Sequence, residues 1–147
     1  MSKTNVCNGL FGLYQAQKHG TSFKPGAKDG SVPTHPVVPC EDLPEASVLT
    51  QCVSWLRVHR VMCDRCNVGA GHLEGEARFH VYGIPGAGDI IGVLPNGAHF
   101  EVECKRGKGG RLSKKQQERQ EKVLTNNAYY FIVHGVNEME HYFKGLV

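Results

Sequence analysis

Residues 89–105 read Asp89-Ile90-Ile91-Gly92-Val93-Leu94-Pro95-Asn96-Gly97-Ala98-His99-Phe100-Glu101-Val102-Glu103-Cys104-Lys105. An acid leads into a buried apolar run, and Pro95-Asn96-Gly97 then turns the chain, with Asn-Gly favouring a tight hairpin. The second arm alternates, so Glu101, Glu103 and Lys105 share one face while Val102 and Cys104 point to the other. Antiparallel pairing of the arms lets Asp89 and Glu103 converge at one end of the sheet. Two carboxylates there, with the Cys104 carbonyl as a third oxygen, suit Mg²⁺ or Mn²⁺, hard cations that keep several waters. Lys105, about 6–7 Å beyond Glu103 on the same face, can orient a water or stabilise charge developing on a phosphate. Phosphodiester hydrolysis needs an activated water, charge neutralisation and help for the leaving oxygen, all of which such a cation supplies. The plain alternatives are a turn acid at 89 and a surface ion pair between 103 and 105. Glu101 is read as peripheral, beyond the metal.

The flanking segments give this hairpin a frame. Residues 43–60 form a helix: Asp42 can cap it, Pro44 suits its first turn, and Glu45 sits three residues after the cap. Val48, Leu49, Cys52, Val53 and Leu56 make its apolar stripe. Glu45 lies on that same face, unusual for a carboxylate, and its plain reading is a capping-box glutamate. Strands are expected at residues 77–83, 89–94, 98–106 and 129–134, with a flexible loop at 107–110. Ser113 starts a helix to about residue 126, with Ser113 and Gln116 in capping-box register, and residues 137–143 form a last short helix. The order is α-β-β-β-α-β-α. The crossover from the third strand through a helix to the fourth implies a parallel pair, so the class is α/β with a central mixed sheet flanked by helices. Residues 1–40 are a loop-rich arm, with a short helix at 10–18, that is disordered, wraps the domain or reaches a partner subunit, and 41–147 are the folded domain. Tyr129, Tyr130, Phe131, Tyr142 and Phe143 are core residues or a dimer interface.

At 147 residues the chain is long enough for one domain with a real core. No run of eighteen apolar residues occurs, so no membrane-spanning helix is expected. The N-terminus does not read as a signal peptide, and the six cysteines read as reduced thiols. Both point to an intracellular, cytoplasmic protein. Cys63-Asp64-Arg65-Cys66 is a lone Cys-x-x-Cys; a structural zinc would need two more ligands, and His59, His72 and His80 stand at no recognisable spacing. Charge is uneven. Lys105, Arg106, Lys108, Arg111, Lys114, Lys115, Arg119 and Lys122 face only Glu118 and Glu121, so residues 105–122 carry +6 and the rest of the chain −3, within a net charge of +3. Such a stripe is a solvated helix face or a polyanion site. It begins at Lys105, which favours phosphate. A non-catalytic nucleic-acid-binding protein would also use these cations, but has no need of clustered Asp89, Glu103 and Gln116.

Gly83-Ile84-Pro85-Gly86-Ala87-Gly88-Asp89-Ile90-Ile91-Gly92, then Glu103-Cys104-Lys105, then Leu112-Ser113-Lys114-Lys115-Gln116 resembles the VRR-NUC branch of the PD-(D/E)xK nucleases. The resemblance covers roughly residues 45–143 and implies a restriction-endonuclease-like core. It implies that Asp89 and Glu103 bind metal, that Lys105 is the catalytic lysine, that Gln116 supports it or contacts the phosphate, and that Glu45 binds the metal directly or through water. Arg65-Cys66-Asn67-x-Gly69 is similar to a family segment placed to contact substrate. Arg106, Lys108, Arg111, Lys114 and Lys115 would then serve DNA. Gly88 departs from the pattern, since many relatives carry proline before the acid. Stand-alone members of bacterial and phage type imply a homodimer cutting branched DNA, four-way (Holliday) junctions in particular, with Mg²⁺ that Mn²⁺ can replace. A flap or linear-duplex nicking endonuclease is the alternative.

Overall fold

The computed structural model describes residues 27–147 apart from Val68, Leu73 and Glu76. The helix expected at 10–18 and most of the 1–40 arm lie outside the described residues. The described elements run β1 (Val32–Thr34), α1 (Glu45–Val58), β2 (Met62–Arg65), β3 (Gly69–His72), β4 (Phe79–Tyr82), β5 (Ile90–Val93), β6 (His99–Cys104), β7 (Gly110–Leu112), α2 (Lys114–Thr125), β8 (Tyr129–Val133) and α3 (Val136–Phe143).

The apolar stripe of α1 is buried at Val48, Cys52, Val53 and Leu56. Its start differs from the expected cap: Pro44 holds the N-cap position with extended backbone (φ −59°, ψ 150°) and no side-chain cap. Asp42 is drawn away, pairing with Arg106 (3.3 Å) and Lys108 (2.9 Å). The helix ends in a Schellman turn, with Val61 N–H donating to the Leu56 carbonyl and Arg60 N–H to that of Arg57, each at 3.0 Å. Arg60 takes the left-handed position at φ +56°.

The central sheet has strand order β2-β5-β6-β8. β2, β5 and β6 pair antiparallel, and β6 pairs parallel with β8, Phe100 opposite Tyr129 through Cys104 opposite Val133. The β5–β6 hairpin closes through Gly97 at φ +86°, with Leu94 N–H donating to Ala98 O and Gly97 N–H to Leu94 O. That is a three-residue loop, Pro95 to Gly97, in which glycine supplies the left-handed residue.

On one sheet face Phe100, Val102, Cys104, Ile90 and Val133 pack with Val48, Cys52 and Leu56 of α1 and Met139 and Phe143 of α3. On the other face α2 anchors through Val123 and through polar contacts to β6. The domain is therefore a mixed α/β fold with helices on both sides of a four-stranded sheet.

Three expectations are corrected. The fourth strand of the sheet is β2, not 77–83; β2 is a polar edge strand without alternation, so no periodicity marks it. The alternating segment pairs as β4 with β3 in a separate two-stranded sheet. The element order is consequently richer than α-β-β-β-α-β-α. The arm and the 107–110 loop also meet, since β1 and β7 pair antiparallel. Glu138, fully buried, accepts from Val37 N–H (2.6 Å) and His134 N–H (2.6 Å), and His134 Nε2 lies 3.0 Å from Thr34 Oγ1. These bonds tie residues 31–38 to the domain.

Candidate functional site

In the β5–β6 register Ile90 faces Val102 and Ile91 faces Glu101, so the next pair places Asp89 opposite Glu103. Pairing of β2 extends past its end, Cys66 N–H donating to the Asp89 carbonyl at 2.8 Å. Asp89 Oδ2 accepts the Cys104 N–H at 2.8 Å. Glu103 is only 2 % exposed, and its Oε1 receives both Lys105 Nζ (2.6 Å) and Gln116 Nε2 (2.5 Å). Gln116 Oε1 accepts the Ser113 N–H (2.8 Å), and Gln116 N–H donates to Ser113 Oγ (3.3 Å). The capping box and the contact to Glu103 are thus one arrangement, with each end of the Gln116 amide used.

The loop before Asp89 is threaded tightly. A Cβ on Gly86, at φ +77°, would lie 2.1 Å from the Lys115 carbonyl oxygen, and one on Gly88 would lie 2.8 Å from the Val102 oxygen. Gly88 N–H donates to Glu101 Oε2 at 2.9 Å. Proline has no N–H to give, which accounts for glycine at this position.

Glu101 is not peripheral. It is fully buried, and Oε1 receives His99 Nε2 (3.0 Å) and the Arg119 guanidinium, whose Nε lies at 3.0 Å and whose second nitrogen also bonds it. A usable sequence signal existed. Gln116 and Arg119 are three apart on one helix face, and Glu103 and Glu101 two apart on one strand face, so the helix pair can serve the strand pair.

The electrostatics separate these acids. Burial pushes the Asp89 carboxyl above its ordinary value, with the Cys104 N–H, Lys105 and Arg65 opposing. Burial and then the Asp89 charge push Glu103 up to about 7, although Lys105 favours its ionised form; Glu45 adds to the rise. Burial alone would raise Glu101 too, but bonds from Arg119, His99 and Gly88 hold it below the usual range. Burial and the charges of Glu103 and Glu101 push the Tyr130 hydroxyl up, and it donates to the Gly86 carbonyl (3.0 Å).

Asp89 and Glu103 open into a cleft of about 290 Å³ whose walls include Cys66, Val81, Pro85, Lys115 and Gln116. Asp89 Oδ1 and Glu103 Oε2 carry no hydrogen bond among the described residues, and no unpartnered polar atom is sealed from solvent. Two repelling carboxylates with an open oxygen each fit a divalent cation. Among the described residues no three His, Cys, Asp or Glu side chains form a ligand set by themselves; the Cys104 carbonyl and water would complete the shell. The Cys104 side chain faces the core instead.

The remaining expected residues are placed unevenly. Glu45 opens α1 exposed, and acts on Glu103 through its field. Arg65 ends β2 beside Ile90 and acts on Asp89. Asn67 is exposed, and Gly69 makes room for the Tyr82 ring, whose atoms would lie 2.3 Å from a Cβ there. Of the basic stripe, Lys115 lines the cleft. Arg106 and Lys108 hold Asp42, Arg111 holds Ser31 through Oγ (2.7 Å) and its carbonyl (2.9 Å), and Lys114 lies 3.9 Å from Glu118. Cys63 packs against the core while Cys66 lines the cleft, so the Cys-x-x-Cys pair does not converge. Comparison with models of protein families, with curated proteins and with solved structures finds no match to this chain.

Proposed function

We propose that the protein is a Mg²⁺-dependent endonuclease of the VRR-NUC, PD-(D/E)xK kind that hydrolyses phosphodiester bonds in branched DNA, as a homodimeric resolvase of four-way junctions. The observation that carries this reading is Asp89 opposite Glu103 on adjacent strands, with Lys105 and Gln116 both on Glu103. Asp89, Glu103 and the Cys104 carbonyl would hold the ion, with Glu45 near enough to add negative charge. Mg²⁺, or Mn²⁺ in its place, supplies an activated water and neutralises phosphate charge when bound. Gln116 fixes the Glu103 carboxylate, and Lys105, beside it, is positioned to orient the attacking water. Lys115 offers the cleft a cation for the phosphate. Two equivalent sites in a symmetric dimer suit paired cuts across a junction.

The test is cleavage of a labelled four-way junction, a flap and a linear duplex side by side with Mg²⁺. Junction cutting is expected to dominate and to fall by roughly 100- to 1000-fold in Asp89→Ala. Equal cutting by that variant would remove the nuclease reading, and preference for linear duplex would remove the resolvase.

A further inference from the structure

The β3–β4 hairpin pairs with no other strand among the described residues, and two-stranded hairpins are marginal alone. Its register sets His72 opposite Phe79, so His72, Phe79 and Val81 fall on one face. The His72 and Phe79 rings meet edge to face, centroids 5.4 Å apart. Phe79 is 58 % exposed and Val81 63 %. On the opposite face the hairpin uses its own aromatic, because Tyr82 lies over Gly69. An exposed apolar and aromatic face marks a binding surface, and its place identifies the occupant. Val81 also lines the cleft that holds Asp89 and Glu103. The apolar face is therefore continuous with the wall of the cleft in which the carboxylates lie.

We propose that the His72–Phe79–Val81 face is a stacking platform for unpaired nucleotides of a DNA strand whose phosphate lies at Asp89 and Glu103. This rests on the nuclease reading above. A nucleotide satisfies both surfaces at once: its phosphate meets the cation site and Lys115, and its base covers the apolar face. Only unpaired or splayed bases present an open ring face, so the platform selects branch points, flaps and single strands over intact duplex. Stacking on an aromatic ring is tolerant of sequence.

Binding is measured in EDTA, so that nothing is cut, using a four-way junction with 2-aminopurine at the branch and a matched linear duplex. Phe79→Ser is expected to weaken junction binding roughly 5- to 100-fold and to lose the change in 2-aminopurine fluorescence that binding produces, with duplex binding unchanged. Phe79→Trp restores both, and Val81→Ser provides a second, equally exposed substitution should Phe79→Ser unfold. Wild type that cuts junctions while both serine variants bind them undiminished overturns the platform alone. So does loss of self-association in these variants with junction affinity intact, which makes the face a subunit contact. Wild type that binds no branched DNA overturns the nuclease reading, and the platform with it.

Discussion

At position 88 both the missing side chain and the N–H are in use: Val102 leaves no room for a Cβ, and Glu101 takes the N–H. Glu101 is in turn held by Arg119 and His99, so a buried carboxylate with partly exposed partners fixes the residue next to Asp89. Breaking a bond to a buried charged group costs more than a neutral one. Gly88→Ala should lower stability through crowding alone. Gly88→Pro should lower it further, by roughly 2–4 kcal/mol in urea unfolding. A Gly88→Pro midpoint equal to that of wild type would show that this bond contributes nothing. The convergence of Asp89 with Glu103 and Lys105 was legible because strand spacing encodes it, whereas Gln116 was tied to them only through the family resemblance. Glu101 was overlooked although the same spacing offered it Arg119, since charged strand residues are usually solvated and Arg119 sits within a stripe that reads as a surface.

At the scale of elements, α1 closes with a non-glycine residue in the left-handed region, Arg60 at φ +56°, which is strained for any side chain with a Cβ. Arg60→Gly is expected to raise stability by about 0.5–1 kcal/mol, read as a shift in denaturant midpoint with unchanged slope. A lowered midpoint would mean that the arginine makes contacts outweighing the strain. α2 closes in the same way with Asn127 at φ +56°, a residue that tolerates the position. The two long helices, the β5–β6 hairpin and the parallel β6–β8 pair were readable from stripe, turn and crossover. β1, β2, β3 and β7 are three or four residues long and carry glycine, proline or polar residues, so no apolar period emerges. Their pairing is set by what they dock against. β4 misled for a physical reason: its alternation is real, but the face carrying Phe79 and Val81 is turned to solvent.

For the molecule as a whole, the two site carboxylates couple folding to pH. Glu103 titrates near 7 in the folded chain against an ordinary 4.5, and Asp89 is raised as well. The folded state therefore holds these protons more tightly than the unfolded state. The resulting stabilisation is complete below about pH 4.5 and is lost as pH rises to 7. Glu101 and Glu138, both lowered, act in the opposite sense and weaken the fold as pH falls through their folded values. In EDTA, thermal stability should decline from pH 5 to pH 8, with a slope of up to roughly 1.4 kcal/mol per pH unit for one proton. Mg²⁺ should restore more at pH 8 than at pH 5.5, and Asp89→Asn should flatten the profile. A melting temperature independent of pH and Mg²⁺ over this range would rule out the coupled carboxylate pair.

β6 carries the acids, yet its far edge is covered only by β8, reached through α2 about thirty residues later. Such non-local parallel pairing costs chain entropy before any contact rewards it and so slows folding. A chain synthesised only as far as α2 lacks the strand that covers this edge of β6. The sheet around Glu103 is therefore completed by a segment, Tyr129 to Val133, that is made after every residue in contact with that carboxylate, so in the order of synthesis the acids precede the edge that encloses their strand.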